Sequence, residues 1–176
     1  MNLKKSIFLF MLILSLAITG CVSSQDAVKA QDYMDKLAGI LNRQMQLGLE
    51  FNEMLENADE VSDEEAITKM TDFNERSQKI YIDFQMIAVP HDDFRAAHEQ
   101  FATLVSTASK SIGMMYDTVV NDVPVNNSEV IDIMDQQAKA GRQFFTDIKP
   151  LMEKYKASFP IDQELAKKVI GLMNDL

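Results

Sequence analysis

The sequence predicts an all-α fold: an up-down-up-down four-helix bundle with a short fifth helix at the C-terminus. Three observations predict it. Apolar residues recur at three- and four-residue steps over four long stretches, which is the period of a helix with one buried face. The 176 residues include only 6 Gly and 4 Pro, too few for the many turns of a β-sandwich or barrel. The breaks between the stretches are short, and short connections place consecutive helices side by side and antiparallel. Residues 25–176 therefore read as a single helical domain.

The first helix is expected from about Gln25 to about Asn57. Met34, Leu37, Leu41, Gly48, Phe51 and Leu55 form its stripe, with a polar step at Gln44. The second is expected over Ser62–Val89. Ser62 and Glu65 match a capping box, and acids in the first turn suit the helix dipole. Its stripe is Ala66, Met70, Phe73, Ser77, Ile80, Phe84 and Ile87, and Pro90 ends it.

Pro90 then reads as the first residue of the third helix, followed by Asp92 and Asp93. Phe94, Ala97, Phe101, Leu104, Ala108, Ile112, Met115 and Val119 form the cleanest stripe in the chain. Asn121 to Asn127 is rich in turn residues. The fourth helix is expected from about Ser128 to about Lys156, with Asn126 or Asn127 as cap and Ile131, Met134, Ala138, Gly141, Phe145, Ile148, Met152 and Tyr155 as its stripe. Pro150 inside it predicts a kink. Asp162 caps a last amphipathic helix, expected to pack over the bundle end or else to lie on a bilayer.

Residues 1–20 have a different character. Lys4 and Lys5 precede an uncharged, mostly apolar run from Ile7 to Ala17. That run is long enough for a signal-peptide core and too short to span a bilayer. Ile18-Thr19-Gly20-Cys21 follows, and it resembles the lipobox of bacterial lipoproteins. The resemblance implies a cleaved signal peptide over residues 1–20, with cleavage between Gly20 and Cys21. It also implies lipid on the Cys21 thiol and acylation of the new N-terminus. Residues 21–24 are then a lipidated Cys and a short tether. The expected location is the cell envelope, lipid-anchored on the extracytoplasmic face. Val22 replaces the Asp that retains such proteins at the inner membrane, which points to the outer membrane in a Gram-negative organism.

Composition excludes several functions. The formal charge of −10 argues against nucleic-acid binding, and removal of residues 1–20, with two lysines and no acids, makes it −12. One Cys allows neither an intramolecular disulfide nor a Cys-based zinc site. Acids crowd residues 50–65, which contain no Lys or Arg, while Lys149, Lys154, Lys156, Lys167 and Lys168 lie toward the other end of the predicted bundle.

His91 and His98 are the only histidines and the only weak candidates for a metal. Seven residues apart, they lie about 10.5 Å apart along a helix, too far to share one ion directly. They read as solvent-facing or helix-end residues. HExxH, paired Glu-x-x-His, CxxCH, P-loop, GxSxG and dinucleotide motifs are absent from the sequence. The methionines read mainly as core filler. No cofactor and no enzymatic activity are expected. The expected function is a membrane-anchored, non-enzymatic interaction or structural module. Its partner would be an envelope protein, a cell-wall polymer or a second copy of itself. The alternative is a carrier or sensor of haem, copper or lipid in the bundle interior.

Overall fold

The computed structural model describes residues 22–57 and 60–175. Gly20 and Cys21, with the rest of the expected signal peptide, lie outside the described residues, as do Ala58 and Asp59 of the acidic stretch. The described residues form five α-helices and no strand. These are α1 (Ser24–Glu56), α2 (Asp63–Gln85), α3 (Arg95–Val120), α4 (Asn127–Tyr155) and α5 (Gln163–Asp175), with a 3-10 turn at Asp92–Phe94 ahead of α3. None is long and apolar enough to cross a membrane.

Side chains start the helices as their sequences require. Ser23 Oγ accepts the Asp26 N–H at 3.1 Å, and Ser62 Oγ accepts the Glu65 N–H at 3.3 Å. Asn126 does the same for Glu129 at 3.5 Å. Asp162 Oδ1 accepts from both Glu164 and Leu165 at 3.0 Å. At the end of α4, Lys156 adopts the left-handed conformation, φ 53°, and the Ala157 N–H reaches back to the Met152 carbonyl at 3.0 Å. That is a Schellman stop at a position usually held by glycine.

Two boundaries differ from expectation. α2 ends at Gln85, four residues before Val89. Pro90 bars helical geometry at Val89, and the chain leaves the helix a turn earlier, closing with an Ile87 N–H to Phe84 carbonyl bond of 2.9 Å. Pro90 is not the first residue of α3. His91 takes over the start, its Nδ1 accepting the Asp93 N–H at 3.3 Å, and the regular helix begins at Arg95. α4 runs through Pro150 to Tyr155.

The buried face of α1 keeps Met34 and Leu37 of the expected stripe, with Leu41 and Phe51 packed against the core, and extends to one side of it. Ala30, Tyr33, Leu37, Ile40 and Leu47 are buried, and Phe51 and Met54 pack against them. With Gln44 these positions step by three and four in strict alternation, the heptad spacing of a coiled-coil seam. Gly48 and Leu55 of the expected stripe are exposed. In α2, Met70, Phe73, Ser77, Ile80 and Phe84 are buried as expected.

Aromatic rings join the layers. Phe84 of α2 lies 5.5 Å from Phe101 of α3, Phe101 lies 4.8 Å from Phe144 of α4, and Phe144 lies 5.6 Å from Phe159 after α4. Among the described residues, the core cluster and the side chains packed against it fall between Val22 and Phe159. α5 packs alongside α1 rather than over an end of the helices. The segment before it is stitched to α1: Gln31 Oε1 accepts the Ser158 N–H at 2.8 Å, and Asn42 Oδ1 accepts the Asp162 N–H at 3.0 Å.

Candidate functional site

The two histidines fall into different environments. His91 is exposed at the start of the 3-10 turn, as the sequence suggests. His98 is not solvent-facing. It is half-buried between α1 and α2, with its ring stacked 4.8 Å from Phe84 and its Nδ1 3.0 Å from the Tyr33 hydroxyl. Phe94, His98 and Phe101 are spaced four and three apart, so periodicity alone puts His98 on the buried side of α3.

Burial lowers the pKa of His98, opposed by the nearby Glu99 carboxylate. Burial also raises the Tyr33 phenol well above the usual tyrosine range. Both groups are thereby held neutral near pH 7. A neutral phenol donating to an unprotonated Nδ1 fits the 3.0 Å contact and leaves the ring proton on Nε2. Such a pair joins α1 to α3 without burying a charge.

A second polar cluster fastens the start of α3 to the end of α4. Asp93 Oδ2 accepts hydrogen bonds from Lys154 Nζ and, at 3.0 Å, from the Tyr155 hydroxyl. The bonds from Lys154 and Tyr155 lower the Asp93 carboxyl pKa, and the bond to Asp93 raises that of Lys154. Tyr155, only 3% exposed, is raised first by burial and then by the Asp93 bond. Its ring packs 5.0 Å from Phe94. Helical spacing puts Tyr155 in the apolar stripe of α4, but no local spacing pairs it with Asp93, 62 residues away.

Among the described residues, no group of three or more His, Cys, Asp or Glu is placed to hold a metal ion. The acidic stretch is partly neutralised from α2: Glu50 is 2.6 Å from Arg76, and that bond lowers its pKa. Arg76 also reaches Asp72 at 3.1 Å. Arg43 and Asp83 pair at 2.6 Å across the rim of an open groove of about 460 Å³, lined further by Lys36, Gly39, Ile40, Met86 and Ile87. Among the described residues, two buried polar atoms lack a hydrogen-bond partner, Gln44 Nε2 on α1 and Ser77 Oγ on α2.

The methionines divide. Met34 and Met70 are buried and Met54, Met115 and Met152 pack against the core, but Met86 and Met134 are exposed. Exposed Met134 belongs to the least expected feature of the surface. Ile131, Met134 and Ala138, the first half of the stripe predicted for α4, face outward, while Ile133, Ala140 and Phe144 are the buried ones. Comparison with known families, with curated proteins and with solved structures finds no match to this chain.

Proposed function

We propose that the chain is a lipid-anchored protein of the cell envelope whose helical body serves as a non-enzymatic interaction module. The observation that carries the reading is the position of Cys21. It is the only Cys in the chain, and it ends a segment resembling a lipoprotein signal peptide. The next residue, Val22, already packs against the core, and Ser23 caps α1. Lipid on Cys21 would thus hold the body directly at the membrane, with no stalk between. Acyl chains contribute about 0.8 kcal/mol per buried CH₂, so two or three of them anchor stably.

In this reading the body is an up-down-up-down four-helix bundle. The contacts that support it pair helices in opposite directions. Glu50 meets Arg76 while Arg43 meets Asp83, and Phe94 meets Tyr155 while Lys110 meets Glu129. The polar clusters of the body each join two helices through groups that satisfy one another, which supports a structural role for them. Metabolic labelling with palmitate tests the anchor. Wild type is expected to incorporate label and Cys21→Ala to lose it; equal labelling of the two overturns the assignment.

A further inference from the structure

We propose that the uncovered face of α4 is a self-association surface, pairing two copies of this chain antiparallel about a two-fold axis near Ala138. Ile131, Met134 and Ala138 lie one turn apart on one face of α4, and Ile131 and Met134 are each 60% exposed. Val123 and Val125, in the segment before α4, are also exposed. Single exposed apolar residues need no explanation, but a helical row of them marks a contact.

The charges choose the occupant. Asp132 and Asp135 precede Ala138, and Lys139 and Arg142 follow it. All four are exposed, and none takes part in an ion pair among the described residues. Even Asp135 and Lys139, one helical turn apart in the favourable order, stay unpaired. A two-fold axis near Ala138 sets Asp135 of one copy beside Arg142 of the other, and the same pair forms again on the far side of the axis. Such self-complementarity is the property an isologous interface requires. A parallel arrangement would oppose acid to acid and base to base, and is disfavoured. The small side chain of Ala138 lets the two helices approach at the axis, with Met134 and Ile131 filling the space on each side.

The pairing has a geometric consequence. α1 starts beside the end of α4, since Ser158 bonds Gln31. Antiparallel α4 helices therefore send the two Val22 ends in opposite directions, and a pair held on one membrane lies with α4 along the surface. The proposal extends the interaction-module reading by naming the partner. Its test uses the chain from Val22 onward, without Cys21, so its failure and a failure of lipid labelling are distinguishable.

Sedimentation equilibrium of that chain, up to about 200 μM, is expected to show a monomer–dimer equilibrium. Met134→Asp is expected to raise the Kd at least about tenfold. Asp135→Arg and Arg142→Asp are each expected to weaken the dimer, and the two together to restore it, with circular dichroism confirming a folded helical chain throughout. A wild-type monomer over the whole range overturns the proposal. So does a dimer indifferent to Met134→Asp, or a double exchange that fails to restore pairing. A monomer that sediments with phosphatidylglycerol vesicles through Met134 assigns the face to lipid and likewise overturns it.

Discussion

The two halves of α4 carry similar apolar content but opposite fates. From Phe144 to Tyr155 the helix is held on several sides. Phe144 touches Phe101, Phe145 and Phe159, Ile148 is 1% exposed, and Tyr155 and Lys154 bind Asp93. From Asn127 to Ala138 only Ile133 is buried, while Ile131 and Met134 face solvent. The difference lies in the neighbours. The second half meets α3, the 3-10 turn and the chain after α4, whereas the first half is joined to α3, with Lys110 and Glu129 2.7 Å apart. Apolar periodicity reports that a helix has a face to hide, but not whether this chain supplies the cover.

The largest expected effect breaks the well-held half. Phe144 is fully buried and sits at the centre of the aromatic series linking α2, α3 and α4. Phe144→Ala removes a ring from a packed site and leaves a cavity, an expected loss of about 3–5 kcal/mol. Urea unfolding followed by circular dichroism measures it. A loss of less than about 1 kcal/mol would show that the second half is no better packed than the first.

The same contrast explains what was legible in the sequence. Five helices and most of their caps follow from periodicity, Ser62, Asn126 and Asp162, because those signals are local. The buried face of α1 was harder to place. Ile40-Leu41, Leu47-Gly48 and Met54-Leu55 each offer two adjacent small or apolar positions, and both choices keep a helical period. Packing buries Ile40 and takes in Leu41 beside it, and it alone selects Leu47 over exposed Gly48 and Met54 over exposed Leu55. The cross-helix pairs Tyr33–His98 and Asp93–Tyr155 were illegible for a related reason. They depend on which helices become neighbours and in which register, and no local spacing encodes that.

A smaller effect tests the other side of the core, where His98 meets Tyr33. Folding holds the His98 pKa below the ordinary value of 6.5, so the folded chain binds that proton more weakly than the unfolded chain. Well above 6.5 both states are neutral at this site and His98 makes no difference. As pH falls through 6.5 the unfolded chain takes up the proton first, and stability declines until the folded histidine also protonates. His98→Gln is therefore expected to flatten the fall in unfolding free energy between about pH 7 and 5. An unchanged slope would mean that the decline comes from other groups and that the Tyr33–His98 contact is not holding the imidazole neutral.

The smallest expected effect concerns the uncovered half. Met134 is 60% exposed, so Met134→Ser removes little packing from an isolated chain. Its unfolding free energy is expected to change by no more than about 0.5 kcal/mol when measured at low concentration. The same substitution at a buried methionine such as Met70, 1% exposed, belongs to the core class and costs several-fold more. If Met134→Ser proves as costly as a core change even in dilute solution, the face is covered within the single chain, and the contrast between the halves of α4 disappears. If the cost is small when dilute and grows with protein concentration, the cover comes from another copy, because stability linked to association rises with protomer concentration. Concentration dependence thus separates a face that merely tolerates solvent from one that awaits a partner, using a substitution too mild to disturb the fold.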